Sequence, residues 1–404
     1  NTVPGMITAV DSYNKVYDDV CRGVDTYWLS KPLHVGFSHK HSVNLEGGDE
    51  RMRYQAGGSF NKVTGVMKGS ERNTFNLNTT LSYTYKNLIF RNTIEFTRNW
   101  SVNSPYGSFS EYTSLNPYWA PYDEEGNLVK RFTVHHGFAE GSYYESYVYN
   151  PLYNATLNTK NESAYTEVND NFSMDWKIND AFRAVGTFSY RRQESGSDEF
   201  YPAGHTKFAD YDANGMSDRK GLYTKGDGAN QNIAVQAGLN FNKVFGDHLL
   251  FANLTWNLVM SESHSTMVTA EGFGNDYMDD ILFATKYQKD GSPTGYATKT
   301  RAVGIIGAVN YSYADRYLLD LSLRKSASSV YGNDNPWGTF WAAGIGWNLH
   351  HEKFLEDNAW IQHFKLRASM GYTGTQNLNP SQSRARYKYS DLVYGDKLGA
   401  QLVA

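Results

Sequence analysis

The sequence predicts an all-β protein, a transmembrane antiparallel β-barrel wall of about twelve strands. Three observations carry this. Apolar and polar residues alternate with a period of two along most of the chain. The connections between the alternating segments are short and long by turns. The apolar positions beside the short connections are rich in Tyr, Trp and Phe. The 404 residues include 31 Tyr and 36 Gly but only 10 Pro. No window holds the ~18 apolar residues of a membrane-spanning helix, so a membrane crossing has to be made by strands.

On a strand, residues i and i+2 share a face. Phe75, Leu77, Leu81 and Tyr83 therefore oppose Asn76, Asn78, Thr80 and Ser82, and Phe172, Met174 and Trp176 oppose Asn171, Ser173 and Asp175. Ile233, Val235, Ala237, Leu239 and Phe241 oppose Gln236, Asn240 and Asn242, and Leu250 through Met260 repeat the pattern. Val303, Ile305 and Val309, then Leu319, Leu321 and Leu323, then Phe364, Leu366 and Met370 continue it. Strands are expected near 39–47, 52–62, 72–85, 88–101, 163–178, 182–192, 231–245, 248–261, 299–313, 317–328, 338–349 and 360–373.

Short turns are expected at Gly48-Asp49, Lys86-Asn87, Asn179-Asp180, Gly246-Asp247 and Ala314-Asp315-Arg316, with a longer one at His350–Asn358. Long loops are expected near 102–162, 193–230, 262–298 and from 374 onward. Short turns on one side and long loops on the other match periplasmic turns and extracellular loops of an outer-membrane barrel. Tyr83, Tyr85, Trp176, Phe241, Phe245, Tyr311, Tyr313 and Tyr317 beside the short turns read as an interfacial girdle. A soluble β-sandwich would have shorter strands with unsorted loops.

The formal net charge of −4 gives no basic footprint for nucleic acid. A single cysteine, Cys21, rules out an internal disulfide. No nucleophile elbow, phosphate-cradling loop or zinc-protease helix is present, so the chain reads as a non-enzyme. The chain opens on Asn1-Thr2-Val3-Pro4 and closes on Leu402-Val403-Ala404 in mid-pattern, and reads as part of a longer protein.

Several segments resemble the SusC/RagA family of TonB-linked outer-membrane proteins. They are 39–54, 58–69 and Ser114-Leu-Asn-Pro-Tyr-Trp-Ala-Pro-Tyr-Asp-Glu-Glu-Gly-Asn127, then 321–340 and Leu366-Arg-Ala-Ser-Met-Gly-Tyr-Thr-Gly-Thr-Gln-Asn377, in the family's order. The resemblance implies a plugged barrel of about 22 strands, of which residues 39–404 would be part and residues 1–38 the segment leading in. It implies outer-membrane import of an oligosaccharide or peptide. The implied partners are a SusD-like surface lipoprotein, outer-membrane lipid and, through a plug this sequence lacks, the TonB-ExbB-ExbD complex. A passive porin or an adhesive barrel protein is the alternative.

Tyr106, Phe109, Tyr112, Tyr118, Trp119 and Tyr122, with Tyr143 and Tyr144, crowd the first long loop. Aromatic faces stack on sugars or peptide side chains, so these residues are candidates for substrate contact. Packing of the loop into a cap is the alternative, since Asn116-Pro117 and Ala120-Pro121 are turn-builders. Asp210, Asp212 and Asn214 followed by Gly215 open like a calcium loop, but the closing bidentate position holds Gly221. No other cofactor is expected. His39 and His41 share a strand face, whereas His135-His136 and His350-His351 are adjacent and point apart, and none has an evident third metal ligand. The polar phase places Arg183, Asp320, Arg324, Lys365 and Arg367 toward the barrel lumen.

Overall fold

The structure, a computed structural model, describes residues 13–14, 16–139, 142–331, 336–355, 360–374, 386–394 and 397–403, with 133–139, 142–146, 386–394 and 397–403 described by backbone. Tyr143, Tyr144 and the His135-His136 side chains lie outside the described residues, as does Asn358. The strands are β1 (Ser38–Gly48), β2 (Met52–Thr64), β3 (Glu71–Tyr85), β4 (Leu88–Val102), β5 (Arg131–Ala139), β6 (Ser142–Tyr149), β7 (Lys160–Lys177) and β8 (Phe182–Tyr201). They continue as β9 (Leu222–Phe245), β10 (His248–Glu271), β11 (Lys286–Tyr287), β12 (Thr294–Tyr313), β13 (Tyr317–Ser328), β14 (Trp337–Asn348), β15 (Lys365–Tyr372), β16 (Arg386–Tyr394) and β17 (Lys397–Val403).

One 13-stranded sheet runs β1-β2-β3-β4-β7-β8-β9-β10-β12-β13-β14-β15, with β11 beside β10. Every pairing in it is antiparallel. Each segment expected from the alternation overlaps a strand of this path, although the last is shorter than expected, since β15 begins only at Lys365. The hairpins β5-β6 and β16-β17 stand apart from it and were not expected.

Register makes the two faces continuous. Directly paired residues form the row Tyr85–Leu88–Trp176–Ala184–Leu239–Leu254–Gly307–Leu323–Trp341–Tyr372 on one face. The opposite face carries Ser82–Arg91–Ser173–Thr187–Gln236–Asn257–Gly304–Ser326. A sheet buried on neither face by protein, apolar on one and polar on the other, is the wall of a membrane barrel. On the apolar face, Phe182 to Tyr190, Phe241 to Ile233 and Met260 to Leu250 lie between charged or polar positions. Each stretch is about 9–11 residues, the length a tilted strand needs to cross hydrocarbon.

The short turns are built by local chemistry. Asp49 Oδ1 accepts from Arg51 N and Met52 N, both at 2.8 Å. Asn179 Oδ1 accepts from Ala181 N and Phe182 N, both at 2.9 Å. Lys86, Gly246, Ala314 and Asp315 take positive φ of 54°, 60°, 49° and 54°, which suits tight hairpins matched to strand twist.

Two expectations need correction. The stretches 193–230 and 262–298 are about half strand, because β8 runs on to Tyr201, β9 begins at Leu222, β10 reaches Glu271 and β12 begins at Thr294. Beyond the membrane neither face meets lipid, so the apolar alternation stops while the hydrogen-bond ladder continues. Arg191 through Ser197 are polar or glycine on both phases yet remain paired.

Most of the buried apolar side chains sit in the long-loop cap and at the outer ends of the strands rather than in the middle of the sheet. Trp28, Tyr112, Leu115, Trp119, Phe132 and Leu152 form one cluster, and Phe200, Tyr223 and Phe273 another. Residues ahead of β1 belong to the first. Thr26 N donates to Pro117 O at 2.8 Å, Thr26 Oγ1 to Trp119 O at 3.0 Å and Trp28 Nε1 to Asn116 O at 2.9 Å.

Candidate functional site

The connection from β4 to β7 covers the long-loop end of the sheet. Its short helix, Phe109–Thr113, is set by a capping box: Ser108 N donates to Glu111 Oε1 at 3.0 Å and the Ser108 side chain faces the third helical amide. Asn150 anchors the return, with Nδ2 donating to Pro121 O at 3.1 Å and Val129 O at 2.9 Å.

The six candidate aromatics separate into three groups. Tyr112 and Trp119 are interior residues, 1% and 9% exposed. The Tyr112 hydroxyl donates to Tyr106 O at 2.9 Å, and the Trp119 ring stacks on Phe132 with centroids 5.0 Å apart. Burial pushes the Tyr112 phenol well above its ordinary range. These two hold the cap together, and the interior Tyr112 offers no face to a substrate. Phe109, Tyr118 and Tyr122 are exposed. Tyr122 and the edge of Trp119 border a cavity of about 1020 Å³ that also meets Asp18, Asp123, Glu124 and Glu125.

Tyr106 lines a second cavity, of about 1090 Å³, between the loop after β2, the cap and the outer end of β8. Its ring lies under Lys68, with Nζ 5.7 Å from the centroid. Across the cavity stand Tyr149, Tyr201, His205 and Lys207. Tyr201 donates to Glu199 Oε1 at 2.6 Å, packs edge-on against His205 with centroids 4.9 Å apart, and carries Lys207 Nζ 4.4 Å above its ring. His205 Nδ1 accepts from Lys207 N at 3.0 Å. Burial, reinforced by the Lys207 and Lys130 charges, brings the imidazole down to about 4. His205 is thus a neutral ring with Nε2 left to donate. Burial, with the Glu199 hydrogen bond, raises the Tyr201 phenol. The cavity offers aromatic faces, neutral donors and flanking ammonium groups. It can hold a flexible polar ligand. Sequence reasoning found Tyr106 but missed Tyr149, Tyr201, His205 and Lys207, which come from three separate elements and share no local pattern.

The acidic turn at Asp210, Asp212 and Asn214 is engaged from within. Lys220 Nζ pairs with Asp212 and Lys286 Nζ with Asp218, and each ammonium lowers its carboxyl's pKa through a side-chain hydrogen bond. Asn214 N donates to Asp210 O at 3.1 Å, so backbone closes the turn. The His39 and His41 rings lie tilted against each other with centroids 5.1 Å apart. Among the described residues no three His, Cys, Asp or Glu side chains gather around a possible metal position.

Along the polar face, Arg183 Nε donates to Asp175 Oδ1 at 2.7 Å and Arg191 pairs through both nitrogens with Glu167 at 3.0 and 2.9 Å. Asp320 accepts from Asn310 Nδ2 at 2.5 Å. These residues, with Arg324, Lys365 and Arg367, lie on the polar phase assigned to the lumen.

Fold, turn-and-loop sorting and a capped polar mouth are those of an outer-membrane-type β-barrel wall. The chain is 26% identical over 355 residues to TonB-dependent receptor P39 of Formosa agariphila, covering 86% of this chain and 32% of that protein. It is 35% identical over 111 residues to TonB-dependent receptor SusC of Bacteroides thetaiotaomicron, covering 25% of this chain and 11% of SusC. The RagAB peptide transporter structure superposes with a TM-score of 0.69 over 94% of this chain and 41% of that chain, at 14% identity, a likeness of fold. No protein-family model matches. Along most of its length the chain is thus similar to a curated TonB-dependent receptor, and it shares its fold with the RagAB structure. It spans about a third of the length of P39.

Proposed function

We propose that this chain supplies part of the wall and outer mouth of an active nutrient importer of the outer membrane, driven through TonB. The observation that carries the reading is the mouth cavity lined by Tyr106, Tyr149, Tyr201 and His205 on the long-loop side of a membrane-barrel wall. The curated relatives, named TonB-dependent receptors, support it. Polar ligands enter at the cavity, and the lumen row of Asn, Ser, Thr and paired charges keeps the path wet. A SusD-like lipoprotein is the partner expected over the mouth, and the TonB-ExbB-ExbD complex the energy source. The ligand is an oligosaccharide or a peptide, and the RagAB neighbour is a peptide transporter. Transport needs no cofactor on these strands, and calcium at Asp210–Asn214 would have to displace Lys220 from Asp212.

The test is uptake of labelled oligosaccharides and peptides by cells with and without the gene, before and after a protonophore. Gene-dependent uptake that stops with the protonophore supports active import. Gene-dependent uptake that continues would make the protein a passive porin.

A further inference from the structure

We propose that the lipid-facing wall holds a seat for one acyl chain of a glycerophospholipid of the periplasmic leaflet, with Lys243 meeting its phosphate. The inference rests on the reading of this sheet as an outer-membrane barrel wall and goes beyond the import function.

A groove of about 540 Å³ interrupts the apolar face between β8 and β14. That volume falls within the about 300–1,000 Å³ typical of small-molecule sites. Its floor is Ala252, Gly307 and Ala343, and its sides are Phe241, Leu323 and Trp341. The cause is in the register. The row Leu239–Leu254–Gly307–Leu323–Trp341 has no side chain at its centre. A Cβ added at Gly307 would meet nothing within 4 Å. Glycine weakens a strand interior, and no turn or close backbone approach at this position asks for it. What it creates is room on the lipid side.

Position selects the occupant. Phe182, Phe241, Ala252 and Val309 all lie within a few residues of the short turns, so the groove opens into the periplasmic half of the bilayer. On the same face, two residues from Phe241 toward the turn, is Lys243, paired with Leu250. At about 3.4 Å per residue it stands about 7 Å below the groove. Its side chain is exposed and its Nζ lies 5.9 Å from the Phe245 ring. A lysine placed so lays its stem on apolar surface and carries its ammonium to the headgroup plane. Next to it, His248 Nδ1 and Tyr311 Oη are hydrogen-bonded at 2.7 Å. A hydrocarbon slot with one cation at its headgroup end matches a phospholipid, whose tail and phosphate are separated in the same sense.

The experiment is native mass spectrometry of the full-length protein extracted from its own membrane in mild detergent. The expected result is one retained phospholipid per chain. Gly307→Leu, which fills the floor at an unstrained position, should lower the retained fraction about tenfold, and Lys243→Gln, an exposed change, should lower it several-fold. No retained lipid, or equal retention in Gly307→Leu, overturns the proposal. So does a lipid-free dimer broken by Gly307→Leu, which would make the groove an interface between copies. Protein recovered outside the membrane sinks the barrel reading and the groove together, whereas loss of uptake with lipid still bound touches only the importer reading.

Discussion

At Asp170 the wall departs from its own pattern. Val168 and Phe172 share its face, the face that meets lipid, and its directly paired neighbours are Ile94 and Tyr190. Asn92 Nδ2 donates to its carboxylate at 2.6 Å, so two polar residues satisfy each other inside an apolar band. If lipid alone covers them, Asp170→Val stabilises the folded protein by on the order of 1 kcal/mol, read as a higher urea midpoint in lipid vesicles. A lower midpoint would mean that protein covers this patch. His205 makes a second prediction at this scale. Its folded pKa, about 4, lies below the ordinary 6.5, so between these values the unfolded chain binds more protons than the folded one. Stability from this group is full above about pH 6.5 and falls as pH drops toward 4. His205→Gln should flatten that part of the unfolding-midpoint profile, and an unchanged slope would show that the ring is not held neutral. Tyr106 was legible as a site residue because aromatics crowd one loop. The burial of Tyr112 and Trp119 was not, because a loop carries no periodicity to separate its inside from its outside.

At the scale of elements, each strand's two phases have different solvents. Val235 is on the apolar face and Gln236 on the polar one. Val235→Lys should cost about 2–4 kcal/mol of stability in a bilayer, whereas Gln236→Lys should cost little, because a wide lumen is wet. Similar losses for the two would contradict the face assignment. The same contrast explains what the sequence made visible. From Leu250 to Met260 lipid demands an apolar residue at every second position, and the strand is plain. From Glu262 to Val268 neither face meets lipid and β10 continues without a signature. The membrane band was thus legible in the strands of the main path, while strand ends outside it were set by pairing that only the neighbours reveal. The β5-β6 hairpin was invisible for a related reason, since it belongs to the cap and faces no lipid.

For the whole molecule, the sheet orders its chemistry along one axis. Turn residues with positive φ and aromatic rings mark the short-turn end, an apolar band follows, and beyond it long strands and loops carry the buried clusters and the mouth cavity. Among the described residues, β1 and β15 each pair on one side only. Hydrocarbon does not tolerate unpaired strand edges, so this wall works only where further strands meet both edges. That accords with curated relatives about three times as long.

All of this depends on the two faces of the sheet meeting different solvents, and accessibility along β10 tests that most directly. With Cys21 replaced by serine, single cysteines from Leu250 to Met260 would be spin-labelled in the membrane-inserted protein. Their relaxation would be compared with oxygen, which concentrates in lipid, and with a water-soluble nickel chelate. The account predicts oxygen-dominated relaxation at Leu250, Ala252, Leu254, Trp256, Leu258 and Met260, alternating with chelate-dominated relaxation at Asn253, Thr255 and Asn257. Uniform accessibility to the chelate at every position would contradict it, and would return the chain to the class of water-soluble β-proteins.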